Sequence, residues 1–265
     1  MIIYIYSQCS RKATKRNIEK IEKALKDKYN DIKFYSYDEI DTINKEEVDT
    51  IFISGGDGTI HNVINCFKDY LDKITFGFFP AGTANDISKN NKIKSFKDAL
   101  SIINMGIIKE DNLFEVNDEL FYYALSVGEM SRVSIDTSER SKKRSGKLIY
   151  KLKGIKYLFK KRSKVIIDGK EEKIKVIIIL RTLYLGGTKI GKSIDNKLHI
   201  YKIKNIFDLV SLFIFNRFRK IEKNSIDSLT IESNSVWCVD GEKIDINKGT
   251  IKESSKKIKM LSKNA

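Results

Sequence analysis

The residues best suited to chemistry stand at the ends of short apolar runs. Ile51-Phe52-Ile53-Ser54 leads into Gly55-Gly56-Asp57-Gly58-Thr59, and Ile60-His61-Asn62-Val63-Ile64 follows at once. A strand that meets three glycines within four positions and then a helix lets the backbone approach a ligand closely. The fresh helix N-terminus offers unpaired N–H groups to phosphate. Asp57 among those groups can orient the loop or reach a magnesium ion bound to a nucleotide. The same residues also fit a plain glycine-rich turn with an Asp/Thr cap. No Gly-Lys-Ser/Thr follows, which excludes a P-loop lysine clamp. Further along, Phe79-Pro80-Ala81-Gly82-Thr83-Ala84-Asn85-Asp86 contains the only proline of the chain. Pro80 stiffens a strand exit, Gly82-Thr83 can form a second phosphate-facing turn, and Asn85 or Asp86 can cap a helix. His61 and His199 are isolated in sequence and suggest neither a metal cluster nor a histidine-centred triad.

The elements that must position these residues alternate in the first hundred positions. Ile2–Tyr6, Ile32–Tyr37, Thr50–Ser54 and Ile74–Phe79 read as strands. Ile18, Ile21, Leu25 and Tyr29 fall at helical spacing within Lys15–Tyr29, and Ile60–Leu71 and Phe96–Met105 read as helices. This rhythm predicts a parallel sheet covered by helices. After Gly106 the pattern turns to strands: Leu113–Val116, Leu120–Val127, Lys164–Ile167, Ile174–Leu185, Leu198–Ile203, Ser228–Ile231 and Ser235–Val239. Helices are expected near Lys147–Phe159 and Phe207–Phe218, and Asp168-Gly169 reads as a hairpin turn. The expected fold class is α/β: an N-terminal α/β domain, of the order typical of nucleotide-binding domains, followed by a β-sandwich-like second domain. The boundaries expected are 1–108 and 109–247, with 248–265 either fraying or returning to complete the first domain.

Composition narrows the classes. Of the 265 residues 41% are hydrophobic and 10% aromatic, too apolar for a disordered polyelectrolyte. No apolar run approaches the ~20 residues of a membrane-spanning helix. The opening Met1-Ile2-Ile3-Tyr4-Ile5-Tyr6 lacks the basic region and cleavage site of a signal peptide. Cys9, Cys66 and Cys238 have no Cys-x-x-Cys spacing, which suits a reducing cytoplasm and excludes a disulfide framework.

Gly-Gly-Asp-Gly-Thr followed by Pro-x-Gly-Thr-x-Asn-Asp resembles the diacylglycerol kinase catalytic-domain family, which includes bacterial lipid kinases and the sphingosine and ceramide kinases. NAD kinases share the first motif, whereas Pro80–Asp86 is similar to the lipid kinases. The resemblance implies ATP as phosphoryl donor, Mg²⁺, and a lipid hydroxyl as acceptor, diacylglycerol-like by default. It implies nucleotide contacts at Ser7, Ser10, Gly55, Gly56, Asp57, Gly58, Thr59, Asn62, Gly82, Thr83, Asn85 and Asp86. It also implies that Glu242, in Val239-Asp240-Gly241-Glu242, is the base that takes the proton of the lipid hydroxyl, with Asp57 as its catalytic partner. A structural Mg²⁺ would be held by Asp195 with main-chain carbonyls of Lys192 and Lys197. Several positions depart from the family pattern. The Asn-Pro-x-Ser-Gly loop is here Ser7-Gln8-Cys9-Ser10-Arg11, and Asn62 replaces a glutamate. Gly-x-Asp-Ala becomes Gly128-Glu129-Met130-Ser131, and Asp-Gly-x-Leu becomes Asp195-Asn196-Lys197-Leu198. The alternatives are a nucleotide-binding regulatory protein without turnover and a non-lipid kinase of the NAD kinase type.

Charge supplies the remaining expectation. The formal net charge is +15, and twelve Lys or Arg with no Asp or Glu lie between Arg140 and Lys164. Leu148, Leu152, Ile155 and Phe159 would share one helical face there, with lysines around the remainder. Such a field favours an anionic membrane surface, and with it a cytoplasmic, peripherally membrane-associated protein. No zinc-finger, RNP or helix-turn-helix signature accompanies the charge, so nucleic acid is not expected. A homodimer remains open.

Overall fold

The computed structural model describes residues 1–10, 12–131, 162–181, 184–189, 198–205, 207–208, 223–226 and 228–264. They form two compact units, Met1–Leu113 with Ser255–Ala265, and Phe114–Ser254. The architecture is mixed α/β followed by a β-rich part. Among the described residues no helix is long and apolar enough to cross a membrane.

The first unit starts with β1 (Ile2–Tyr6), α1 (Lys15–Lys26), β2 (Ile32–Ser36) and β3 (Thr50–Gly55). It continues with α2 (Asp57–Cys66), β4 (Thr75–Pro80), α3 (Asp86–Asn90) and α4 (Phe96–Met105). Its strands run β2-β1-β3-β4 in parallel. The central pair, β3 and β4, is buried along almost its whole length, as continuous apolar runs require when helices cover both faces. Local chemistry sets the helix ends. Thr14 caps α1 by accepting from Asn17 N–H, Ser95 caps α4 by accepting from Asp98 N–H, and Gly106 closes α4 at φ 68°. The helix expected at Ile60–Leu71 begins earlier, at Asp57, and stops at Cys66, with a 3₁₀ turn over Lys68–Tyr70. Gly56 in the N-cap position and acidic Asp57 in the first turn favour the earlier start.

The second unit is built from strands. These are β5 (Ile108–Val116, entering from the first unit), β6 (Glu119–Phe121), β7 (Ala124–Val127), β8 (Ser163–Ile167), β9 (Lys170–Ile174) and β10 (Val176–Leu180). There follow β11 (Tyr184–Leu185), β12 (Thr188–Lys189), β13 (Leu198–Ile203), β14 (Lys223–Ile226), β15 (Ser228–Glu232), β16 (Trp237–Val239), β17 (Glu242–Ile244) and β18 (Lys248–Leu261). One sheet runs β14-β13-β10-β7-β16-β17. In the other, β18 pairs with β15, β15 with β8, and β8 with β9, all antiparallel. Residues of both sheets, among them Phe114, Leu125, Ile177, Ile179, Ile231, Trp237 and Ile251, share one hydrophobic core. Asp168 and Gly169 turn β8 into β9 at φ 46° and 79°, as an Asp-Gly hairpin requires.

Besides the earlier start of α2 and shifts in strand ends, three segments depart from the sequence expectation. Leu120–Val127 is two strands, because the Tyr122 and Tyr123 N–H groups turn to the Asp240 carboxylate. Ile174–Leu185 is broken at Lys175, whose N–H donates to Ile203 C=O. Lys252–Leu261 does not fray: it belongs to the long strand β18, which ends two residues before Lys263. The last residues of β18 pair in parallel with β4, Lys259 with Thr75 and Met260 with Phe76. The helix expected at Lys147–Phe159 lies outside the described residues, as does that at Phe207–Phe218 except for Phe207 and Asp208.

Candidate functional site

In the first unit three loops leave the C-terminal ends of β1, β3 and β4, the end of a parallel sheet at which ligands bind in open α/β folds. Main-chain bonds tie them together. Ser7 N–H donates to Ser54 C=O at 3.0 Å, Lys12 N–H to Ala81 C=O at 2.8 Å, and Ala81 N–H to Gly55 C=O at 3.0 Å. Ser7 and Ser10 stand half-buried on the first loop. In the strands that lead to these loops, Phe79 meets the Tyr4 ring edge-on at 6.0 Å and the Phe52 ring at 6.4 Å. Burial pushes the Tyr4 phenol above its ordinary pKa, so it stays neutral.

The two glycine motifs touch directly. A Cβ on Gly82 would lie 2.4 Å from Gly56 Cα and 2.8 Å from Asn85 Oδ1, closer than real atoms approach. Gly82 N–H donates to Gly55 C=O at 3.1 Å and to Asn85 Oδ1 at 2.8 Å, and Asn85 Nδ2 returns a bond to Gly82 C=O at 3.0 Å. Gly82 therefore holds the loops against each other, with its N–H engaged inside the protein. Asn85 adopts φ 53°, ψ 48° at the head of α3, and its side chain bonds back to Gly82 instead of capping the helix. That capping contact comes from the other motif: Asp57 Oδ1 accepts from Ile87 N–H at 2.9 Å. Asp57 and Asp86 are both buried. One carboxylate thus joins the start of α2 to the start of α3.

Gly58 and Thr59 remain at the N-terminal turn of α2, before its first intrahelical bond, Ile60 N–H to Gly56 C=O at 3.1 Å. N–H groups at this end have no helical acceptor and favour an anion. Thr59 folds back over Gly55, where a Cβ would meet it at 2.5 Å. Thr83 is half-buried in the second loop, and Asn62 lies beyond the first turn of α2. Sequence reasoning missed the Asn85 lock and the Lys12 main-chain contact. The first had a signal, an Asn three residues after a Gly. The second had none, because main-chain bonds leave no mark on residue type.

The second unit holds Glu242, half-buried at the start of β17, with Val239 as its strand partner. Asp240 and Gly241 make the preceding turn at φ 47° and 98°. Asp195, Lys192 and Lys197 lie outside the described residues, and so does the basic segment apart from its last three residues. Among the described residues no three His, Cys, Asp or Glu side chains group as metal ligands.

Residues 2–116, which hold both glycine motifs, match the model of the diacylglycerol kinase catalytic domain. The chain resembles the diacylglycerol kinases. A diacylglycerol kinase of Bacillus subtilis (strain 168) is 31% identical over 143 residues, 52% of this chain and 47% of that protein. One from Staphylococcus saprophyticus is 26% identical over 115 residues, 43% of this chain and 38% of that protein. The matched part thus spans less than half the length of these relatives. A crystal structure of a diacylglycerol kinase from Bacillus anthracis str. Sterne superposes with a TM-score of 0.74 at 20% identity, over 98% of this chain and 96% of that one. The ATP complex of an NAD kinase from Archaeoglobus fulgidus superposes with a TM-score of 0.55 at 15% identity, over 99% of this chain and 94% of that one. Both likenesses concern the fold.

Proposed function

We propose that this protein is an ATP-dependent lipid kinase that transfers the γ-phosphoryl group to a lipid hydroxyl, diacylglycerol-like by default. The observation that carries the reading is the direct apposition of the two motifs, Gly56 against Gly82 and Asp57 on Ile87 N–H, in a segment that matches the diacylglycerol kinase catalytic domain. The unit Met1–Leu113 with Ser255–Ala265 makes the nucleotide domain and Phe114–Ser254 the acceptor domain, in place of the boundaries 1–108 with 248–265 and 109–247 expected from the sequence. The α2 N-terminus, through the main chain of Gly55–Thr59, receives the phosphates, with the second loop of Gly82, Thr83, Asn85 and Asp86 holding it in place and Ser7, Ser10 and Asn62 at the margin. Phosphoryl transfer needs positioning and charge stabilisation more than covalent chemistry, and fixed N–H donors at a helix end supply both.

Magnesium bound with the ATP phosphates would offset their charge, and Asp57 is the residue that would hold it. A buried carboxylate at the phosphate-facing helix end fits that ion, and Asp57 is placed there. Glu242 acts as general base. Its carboxylate takes the proton of the lipid hydroxyl, the hydroxyl oxygen bonds to the γ-phosphorus, and the bond from that phosphorus to the bridging oxygen breaks to leave ADP. The protein works at the membrane surface from the cytoplasmic side.

The test is γ-labelled ATP with magnesium and anionic vesicles carrying diacylglycerol. Wild type should yield labelled lipid. Glu242→Gln should lower turnover by ~10²–10⁴, the usual share of general acid–base catalysis, while ATP affinity stays within about twofold. ATP binding with no labelled lipid would favour the regulatory reading, and labelled NAD in a parallel reaction would favour the NAD kinase type.

A further inference from the structure

The turn that carries Glu242 is held far more firmly than a hairpin needs. Asp240 is only 1% exposed. Its Oδ2 accepts from Tyr122 N–H at 2.6 Å, and its Oδ1 accepts from Tyr123 N–H at 3.0 Å and Ala124 N–H at 2.9 Å. Its own N–H donates to Ala124 C=O at 2.8 Å. The segment so gripped is also held by Arg181, itself buried. Arg181 N–H donates to Tyr123 C=O at 3.1 Å, and its guanidinium lies 5.1 Å from the Tyr122 ring and 5.6 Å from that of Phe114.

Asp168 provides the comparison within the same unit. It forms the same kind of Asp-Gly turn, donates its N–H to Thr230 C=O at 3.0 Å and accepts one bond, from Thr230 N–H at 2.9 Å. It is exposed, and a single acceptor bond serves that hairpin. Burying a carboxylate is costly, and three charge-assisted bonds offset the cost only by fixing its geometry. The excess at Asp240 is spent on rigidity at one turn, and that turn bears the carboxylate read above as the base.

We propose that Asp240 is the positioning residue for Glu242, with Arg181 supporting the segment Tyr122–Tyr123 that Asp240 grips. The inference rests on the lipid-kinase reading. Displacement of a reacting group by about 1 Å can cost about 10²-fold in rate, so a fixed turn beside the base has a function that an ordinary hairpin lacks.

The test compares wild type, Asp240→Asn, Glu242→Gln and the double variant of the full chain. Each is assayed with magnesium, ATP and diacylglycerol in vesicles of phosphatidylcholine and phosphatidylglycerol. Asn keeps the size and one acceptor oxygen, and its amide nitrogen leaves one or two of the three N–H groups without an acceptor. Asp240→Asn should lower kcat by about 10–100-fold and leave the KM for ATP within about twofold. In the Glu242→Gln background it should have no further effect, because its contribution passes through that carboxylate. Asp168→Asn should stay within about twofold of wild type. Arg181→Lys keeps the charge but loses the planar stack, and should lower kcat by a smaller factor with the same dependence on Glu242. It decides the matter if Asp240→Asn does not fold. Near wild-type kcat in these variants, or effects that multiply with Glu242→Gln, would overturn the positioning role and leave the kinase reading standing. A wild type that labels no lipid would overturn both.

Discussion

At the scale of single residues, the two motifs do different work from what their spacing suggests. Glycines beside a phosphate-facing helix are read as room for a ligand, and Gly58 retains that reading. Gly56 and Gly82 instead make room for each other, and the asymmetry of their contact can be measured. A methyl on Gly82 meets Gly56 Cα at 2.4 Å, whereas a methyl on Gly56 finds its nearest neighbour at 3.4 Å. Gly82→Ala should therefore destabilise the protein by about 1–3 kcal/mol, the usual cost of overpacking, and weaken ATP binding because the loops separate. Gly56→Ala should cost less than about 1 kcal/mol, since it only tightens an existing contact and loses chain entropy in the unfolded state. Thermal unfolding with ATP titration of both variants checks the order. Equal losses would mean that the loops are not locked glycine to glycine.

At the scale of elements, legibility followed the burial pattern. The strands β1, β3 and β4 were plain in the sequence because both faces are covered and the runs are continuously apolar. The last strand was not. Along β18 the buried residues are Gly249 and Ile251, then Ser254, Ile258, Met260 and Leu261, so the alternation changes phase midway and exposed lysines fill the gaps. Clean alternation lasts only from Lys248 to Lys252. The break at Tyr122–Tyr123 was equally hidden, because its cause, Asp240, lies more than a hundred positions away. For the same reason the candidate site was legible as motifs but not as a lock. One pair of the second unit gives an element-scale prediction. Glu172 on β9 is bonded to Lys202 on β13 at 2.7 Å and to Lys204 at 3.1 Å. The Lys202 hydrogen bond draws its carboxyl below the ordinary glutamate range, against a smaller opposing effect of burial. A depressed folded pKa adds stability above the unfolded value of about 4.3, and that stability is lost as the pH falls through the folded one. Glu172→Gln should thus cost roughly 1 kcal/mol at neutral pH, and the difference from wild type should close in strongly acidic solution. Urea unfolding at pH 7 and near pH 3 decides it, and a gap that persists at low pH would assign the loss to packing instead of charge.

At the scale of the whole molecule, the question is what an excess of positive charge is for. The net charge is +15, and the stretch from Arg140 to Lys164 alone contributes twelve of those charges. On β18, by contrast, the lysines are largely balanced: Lys248 pairs with Glu232, Lys252 with Glu115 and Lys256 with Asp69. Their worth to stability is small, as for other exposed ion pairs, and their effect on the distant field is smaller still. The unbalanced charge is therefore concentrated in a short stretch, and the proposed lipid acceptor in an anionic membrane surface would account for it. At ~0.15 M salt the Debye length is ~8 Å, so only lysines that reach the headgroups contribute, each ~1 kcal/mol at most. Replacing Lys142, Lys143, Lys160 and Lys161 by Gln should lower partition onto phosphatidylglycerol-containing vesicles by up to about 10²–10³-fold, the product of four such contributions. Binding to phosphatidylcholine vesicles should not change, and raising the salt should erase the difference between variant and wild type. Co-sedimentation across a salt series measures all three. If wild type does not sediment with anionic vesicles even at low salt, the segment is a solvated face, and the lipid must be reached by apolar contact instead.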